Sequence, residues 1–270
     1  AKCDFCLYYD NVDNPTAKQD ELTIDEIEKI SMKYGKLHYL ALSGGEPFVR
    51  QDIDELCQCF ISNCKTRVID IPSNFFYSSN MVKAVRNIVS KNPDVRLDLQ
   101  LSIDDIGEAH NKSRKVPDLY DKAICTFKEL QEIRDLHKNL TMKVNIVYLE
   151  SNRDRLPDII SALSEAIEYD RVQLTYPNSL IPSSSGESGS DCQNINNFID
   201  AEKRAVQPLR RNRNTNLSTY LYTLGMLSVK QVYHQLLRDS FKNKVNVGSF
   251  CEAGRNIVVI NEKGDVFPCE

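Results

Sequence analysis

Residues 37–47 read Leu-His-Tyr-Leu-Ala-Leu-Ser-Gly-Gly-Glu-Pro, an apolar run that stops abruptly on two glycines, a carboxylate and a proline. The run Leu37–Leu42 predicts a strand, and a helix is expected over 52–62. Gly44 and Gly45 let the backbone approach a ligand with no Cβ in the way, and Pro47 sets the exit. Backbone carbonyls and amides at such a strand end can hold an amino group. The same residues also suit a tight strand–helix turn with Glu46 at a helix N-terminus, and the two readings stay open here.

Outward from this unit the pattern repeats. Upstream, Thr23 and Glu26 form a capping box before Ile24, Ile27 and Ile30 at helical spacing. Downstream come a strand at Arg67–Ile71 closed by Pro72-Ser73-Asn74, a helix over 78–91, and a strand at Arg96–Ile103. Leu119, Ala123, Ile124, Phe127, Leu130 and Ile133 stripe a long amphipathic helix. A strand at Thr141–Leu149, a helix marked by Leu156, Ile159, Ile160, Leu163 and Ile167, and a strand at Arg171–Tyr176 complete the series. Each crossover is long enough for a parallel connection. Right-handed crossovers then give an α/β fold, either a doubly wound sheet or a barrel, and periodicity does not separate these. In both, sites form past the C-terminal ends of strands, which is where Gly44–Pro47, Ser73-Asn74 and Asp104 fall.

The last third changes character. Residues 179–192 are rich in Ser and Gly and predict a mobile loop; 194–243 reads as helical. Ile257–Ile260, the turn Asn261–Gly264 and Val266-Phe267 predict a small hairpin, flanked by Cys251 and Cys269. A hairpin buries little apolar surface, and cysteines at both ends fit organisation around a metal.

The chain has 270 residues, 41% hydrophobic and 27% charged, with a net charge of −4. That balance gives no electrostatic case for nucleic acid or an anionic membrane. No apolar run approaches the ~18 residues of a spanning helix. Arg210, Arg211 and Arg213 read as a solvated helix face or end. Nine cysteines, an odd number, argue against a closed disulfide framework and for reduced thiols and metal ligation, hence a cytoplasmic setting. Cys57, Cys59 and Cys64 lie along one predicted helix, with 57 and 59 facing about 200° apart, and read as core or surface thiols. Cys3 and Cys6 form a CxxC pair, a spacing shared by zinc, redox and iron–sulfur sites. With no initiator Met and a ligand-like pair so near residue 1, the true start is expected upstream.

Taken together, these motifs resemble the radical S-adenosylmethionine (SAM, AdoMet) superfamily, in its subgroup with a SPASM or twitch-type C-terminal auxiliary-cluster extension. That family carries CxxxCxxC with an aromatic before the last cysteine. Cys3 and Cys6 match its second and third ligands and Phe5 the aromatic, so the first ligand is expected two positions before Ala1. Gly44-Gly45-Glu46-Pro47 matches the segment that contacts the SAM amino group. LSIDD with HNKSRKV resembles S-x-D-G followed by H-D-x-x-R-G, which makes Ser102 and Arg114 candidates for the SAM ribose or carboxylate. Asp105, Asn111 and Lys115 depart from that pattern, replacing Gly, Asp and Gly. Cys251-x12-Gly264-x4-Cys269 matches the opening of the auxiliary-cluster signature.

The resemblance implies a partial (β/α)6 TIM-like barrel over 1–178, a loop and helical connector over 179–248, and the start of the auxiliary domain over 249–270. It implies a [4Fe–4S] cluster on Cys3 and Cys6, SAM on its open iron, and an auxiliary cluster on Cys251 and Cys269. Phe5, Gly44, Gly45, Glu46, Pro47, Asn74, Ser102, Asp104 and Arg114 are the expected cofactor-binding residues. Reductive cleavage of SAM, fed by a flavodoxin- or ferredoxin-type donor, would yield a 5′-deoxyadenosyl radical that takes hydrogen from a peptide or protein. The alternatives are a small-molecule substrate or a non-catalytic metal-binding module.

Overall fold

The structure is a computed structural model that describes residues 1, 3, 5–6, 21–176, 191–205, 231–236, 238–239 and 256–268. Five strands alternate with helices: α1 (Ile24–Tyr34), β1 (Tyr39–Ala41), α2 (Ile53–Cys64), β2 (Val68–Ser73), α3 (Ser78–Lys91), β3 (Arg96–Ser102), α4 (Glu108–Arg114), α5 (Leu119–Leu136), β4 (Leu140–Val147), α6 (Leu156–Ala166) and β5 (Arg171–Thr175). The expected capping box opens α1: Thr23 N–H donates to the Glu26 carboxylate at 2.9 Å, and Glu26 N–H to Thr23 Oγ1 at 3.4 Å.

All five strands pair in parallel in the order β1-β2-β3-β4-β5. That order answers the question left open by periodicity. A doubly wound sheet reverses strand order partway, sending helices to both faces. Here every strand sits beside its predecessor, so right-handed crossovers put all the helices on one face and leave the other as a lumen. The architecture is a partial TIM-like barrel.

The register separates the two faces by chemistry. Ile69 and Ile71, Leu97, Leu99 and Leu101, Met142, Val144 and Ile146, and Val172 and Leu174 share one face and are buried with Val85, Ile88, Phe127, Leu130 and Leu163 of the helices. The alternate positions, Asp70, Asp98, Gln100, Ser102, Lys143, Asn145, Gln173 and Thr175, line the other face. The core therefore lies between sheet and helices, and the lumen is polar.

Local chemistry explains several boundaries. Strand β1 starts later than expected because Leu37 N–H donates to Cys64 O at the end of α2, away from the ladder. Strand β2 runs through Pro72: Asp70 O accepts from Leu42 N–H, so even-numbered positions face β1, and Pro72 lies beyond the end of that strand. Helix α4 was not anticipated, since its sequence Glu-Ala-His-Asn-Lys-Ser-Arg has no apolar period and Gly107 caps it without a side chain.

Past the barrel, α7 (Asp191–Ala205) buries Ile195, Phe198 and Ile199, with Phe198 edge-on to Tyr148 and Tyr176 at 5.5 and 5.3 Å. The expected loop and helical connector are otherwise described only at 231–236 and 238–239, which are helical; 177–190 and 206–230, with the arginine cluster, lie outside the described residues. The C-terminal hairpin is present as antiparallel β6 (Val259–Ile260) and β7 (Val266–Phe267). It meets the barrel at Leu22, whose N–H donates to Glu262 O at 2.7 Å. Among the described residues no helix is long and apolar enough to cross a membrane.

Candidate functional site

The site is built at the C-terminal ends of β1, β2 and β3. At the end of β1, Gly44 has φ 114°, a conformation an L residue resists, whereas Gly45 has an ordinary φ. A Cβ built on either glycine meets no described atom within 4 Å, so Gly45 borders open space.

Glu46 turns inward and ties two strand ends together. Its carboxylate accepts from Ser73 Oγ at 2.8 Å, Asn74 N–H at 2.8 Å and Phe48 N–H at 3.2 Å. Burial pushes its pKa up, against the pull of those three donors. Phe48 N–H belongs to the 3-10 turn Pro47–Val49, which Glu46 caps. Asn74 is buried, with Oδ1 accepting from Phe76 N–H at 2.9 Å. The next residue, Phe75, holds φ 58° while fully buried, and its N–H donates to Ser73 Oγ at 3.0 Å. Backbone strain of this kind persists only where the surroundings over-determine it.

At the end of β3, Asp104 and Arg114 form a buried two-bond pair. Asp104 Oδ1 also accepts from Val147 N–H at 3.1 Å, its carbonyl from Asn152 Nδ2 at 2.8 Å, and its N–H donates to His110 Nδ1 at 3.2 Å. His110 is fully buried, and burial with the nearby Arg114 charge pulls its pKa down to about 4. That acceptor role at Nδ1 assigns the proton to Nε2, which has no hydrogen-bond partner among the described residues.

The N-terminal CxxC turn packs against this pair. Cys6 N–H donates to Cys3 O at 3.1 Å, and the Arg114 guanidinium carbon sits 5.4 Å from the Phe5 ring centroid. Burial pushes the Cys3 thiol up while Arg114 pulls it down. Burial opposes the charge of Arg114, but Asp104, by charge and hydrogen bond, and Cys3 hold its pKa above the ordinary value. Cys3 is buried and Cys6 half-buried, both as free thiols.

The structure thus brings Cys3, Phe5, Asp104 and Arg114 together, and joins Glu46 to Asn74 separately. The fork of Arg114 expected to meet a ligand is turned onto Asp104. Ser102 stands on the lumen face opposite Asn145. Among the described residues no three His, Cys, Asp or Glu side chains converge as a metal site, and Cys251 and Cys269 lie outside the described residues. The donor set fits an iron–sulfur ligand pair in kind and spacing: two free thiols in one turn, with burial holding the Cys3 thiol above its ordinary pKa despite the nearby Arg114 charge. The open side of Gly45 fits a SAM amino group approaching the backbone.

Sequence reasoning missed the lumen floor. Lys143 Nζ lies 2.6 Å from Asp98 Oδ2 and 3.5 Å from Asp70 Oδ1; Asp70 Oδ2 also accepts from Tyr39 Oη at 2.8 Å and Gln100 Nε2 at 2.5 Å. The signal was available: Asp98 and Gln100 alternate with leucines in a strand flanked on both sides. His110 opens the HNKSRKV stretch, but nothing local marked its burial against Asp104.

No protein-family model matches the chain. Nor does any curated protein. The fold is shared with solved structures of anSMEcpe. One, polyhistidine-tagged with bound AdoMet, matches with a TM-score of 0.51 at 16% identity over 73% of this chain and 54% of its own. Two others, with bound AdoMet and a Cp18Cys or Kp18Cys peptide, match with TM-scores of 0.52 and 0.56 at 12% identity over 100% of this chain and 70% of theirs. The chain spans about half the length of the first of these.

Proposed function

We propose that this chain is the barrel portion of a radical SAM enzyme acting on a peptide or protein, with the start of an auxiliary-cluster domain at its C-terminus. The observation that carries this reading is the seating of the CxxC turn on the end of β3, with Phe5 over the Arg114 guanidinium at 5.4 Å. The fold shared with anSMEcpe, which binds AdoMet and in two structures also a peptide, supports it.

In this reading Cys3 and Cys6 are ligands of a [4Fe–4S] cluster. When bound, the cluster and SAM would supply the one-electron reductive chemistry that takes a hydrogen atom from the substrate. The residues of the chain bind and orient. Gly44, Gly45 and the Pro47 exit receive the amino group; Glu46 fixes that loop to Asn74; Phe5 flanks the adenine; Ser102 meets the ribose. Asp104 sets Arg114, and Arg114 holds the ligand turn beside the cofactor carboxylate. Cys251 and Cys269 would ligate the auxiliary cluster, with domain limits near 178 and 248. A low-potential flavodoxin- or ferredoxin-type donor and a reducing cytoplasm complete the reading.

The test is anaerobic reconstitution with iron and sulfide, then dithionite and SAM, reading 5′-deoxyadenosine by chromatography. Its formation, abolished by Cys3→Ala and by Cys6→Ala, is the expected result. Fully loaded protein that makes none in the presence of reductant and a peptide pool would assign a non-catalytic metal-binding role. Deuterium carried into 5′-deoxyadenosine from a deuterated small-molecule pool, but not from deuterated peptides, would move the substrate to a small molecule.

A further inference from the structure

The C-terminal hairpin reaches the barrel through Leu22, and Leu22 reaches the β1–α2 loop through Arg50. On one side Leu22 N–H donates to Glu262 O at 2.7 Å, and its side chain underlies the turn, 3.3 Å from where a Cβ on Gly264 would stand. On the other side Leu22 O accepts from Arg50 Nη1 at 2.8 Å. Arg50 directly follows the 3-10 turn that Glu46 caps, and its N–H donates to Pro47 O at 3.1 Å. Its guanidinium is held in aim by Asp52, Nη2 to Oδ2 at 3.0 Å. Asn80 of α3 clamps the carbonyls of Phe48 and Arg50 at 2.7 and 3.0 Å. An unbroken run of bonds therefore links Ser73 and Asn74, Glu46, the turn, Arg50, Leu22 and the hairpin.

We propose that Arg50 is a positioning residue that couples the Gly44–Pro47 loop to the hairpin, so that SAM held at the loop and a docked hairpin stabilise each other. The inference rests on the reading of that loop as a SAM site. The loop's exit is stiff, being bonded to Glu46, Asn80 and Asp52, so a shift at Gly45 reaches Leu22 through the guanidinium. Such coupling is reciprocal: the factor by which SAM tightens the hairpin is the factor by which a docked hairpin tightens SAM. Cys251 and Cys269 flank the hairpin in the sequence.

The experiment measures amide hydrogen exchange at position 22 and the SAM dissociation constant of the cluster-loaded protein, in wild type, Arg50→Met, Arg50→Lys and Leu22→Ala. The Asn261 amide, bonded inside the hairpin to Asp265 O at 3.0 Å, reports whether the hairpin stays folded. SAM is expected to slow exchange at position 22 about tenfold in wild type, the size of one hydrogen bond to a charged donor. Leu22→Ala leaves the glycine loop untouched, yet where it frees the hairpin it should weaken SAM by the same factor, about tenfold, by which SAM slows that exchange in wild type. Arg50→Lys should fall between wild type and Arg50→Met. Leu22→Ala that frees the hairpin while SAM affinity holds at the wild-type level overturns the coupling. Should wild type not bind SAM, the functional reading fails alone. Faster exchange at position 22 in Arg50→Met, with Asn261 still protected, then sustains the strap, and unchanged exchange removes it.

Discussion

Arg114 grips Asp104 through two parallel hydrogen bonds, Nε to Oδ2 at 2.5 Å and Nη2 to Oδ1 at 2.9 Å, with both side chains buried. Removing either partner strands a charge where water does not reach. Arg114→Met is expected to destabilise the protein by about 3–5 kcal/mol. Asp104→Leu should do the same, and the double variant should recover a large part of the loss. Urea unfolding of the four proteins checks this. Additive losses would mean the pair is not the energetic unit.

Beside that pair, His110 gives the stability a dependence on pH. Its pKa falls from 6.5 unfolded to about 4 folded, because burial and the Arg114 charge disfavour the imidazolium. Between those values the unfolded chain binds the proton and the folded one does not. Stability is therefore full above pH 6.5 and is lost as pH falls toward 4, by about 3 kcal/mol from this group. Asp104, which alone among the named neighbours pulls the other way, is already committed to Arg114. Unfolding midpoints at pH 7 and 4.5 should converge more in His110→Gln than in wild type. An equal slope in both proteins would rule out His110 as the source.

The two glycines of the β1–α2 loop should separate conformation from ligand contact. Gly44 carries φ 114°, so Gly44→Ala strains the backbone and should cost about 1 kcal/mol or more. Gly45 has an ordinary φ and open space beyond it, so Gly45→Ala should melt at the wild-type temperature. In the proposed function the same Gly45→Ala weakens SAM binding at least tenfold, because its methyl stands where the amino group approaches. Equilibrium dialysis alongside thermal unfolding reads both, and wild-type SAM affinity in Gly45→Ala would remove that loop from the cofactor site.

On the lumen floor, Lys143 lies 2.6 Å from Asp98 and 3.5 Å from Asp70. Asp70 Oδ1 and Asp98 Oδ1 have no hydrogen-bond partner among the described residues; Asp70 Oδ1 faces the Lys143 charge, and Asp98 Oδ1 lies 3.2 Å from Arg96 Nε. Lys143→Met should cost about 3–5 kcal/mol. Lys143→Met with Asp98→Leu should cost less than the single change. Measured stability of the two variants decides it.

The outline of this fold was legible in its residues, and the reason is locality. Period-two and period-3.6 patterning, the Thr23–Glu26 box and the Asn261–Gly264 turn act over a few residues, and each reappears in the structure near its expected place. The same locality put Gly44–Pro47, Asn74 and Asp104 past strand ends. Helix α4 escaped because its seven residues carry no apolar stripe, and its packing rather than its propensity makes it helical.

What the sequence by itself determined is a parallel α/β chain whose unusual residues gather at one end. Only the tertiary structure decided that the strands run in sequential order and so enclose a polar lumen. It also decided that Glu46 serves Ser73 and Asn74, that Arg114 turns to Asp104, and that Arg50 reaches back to Leu22. Each of these joins groups 10 to 28 positions apart. A buried charge takes whichever partner the sheet order and helix placement bring within reach, and no local pattern encodes that choice.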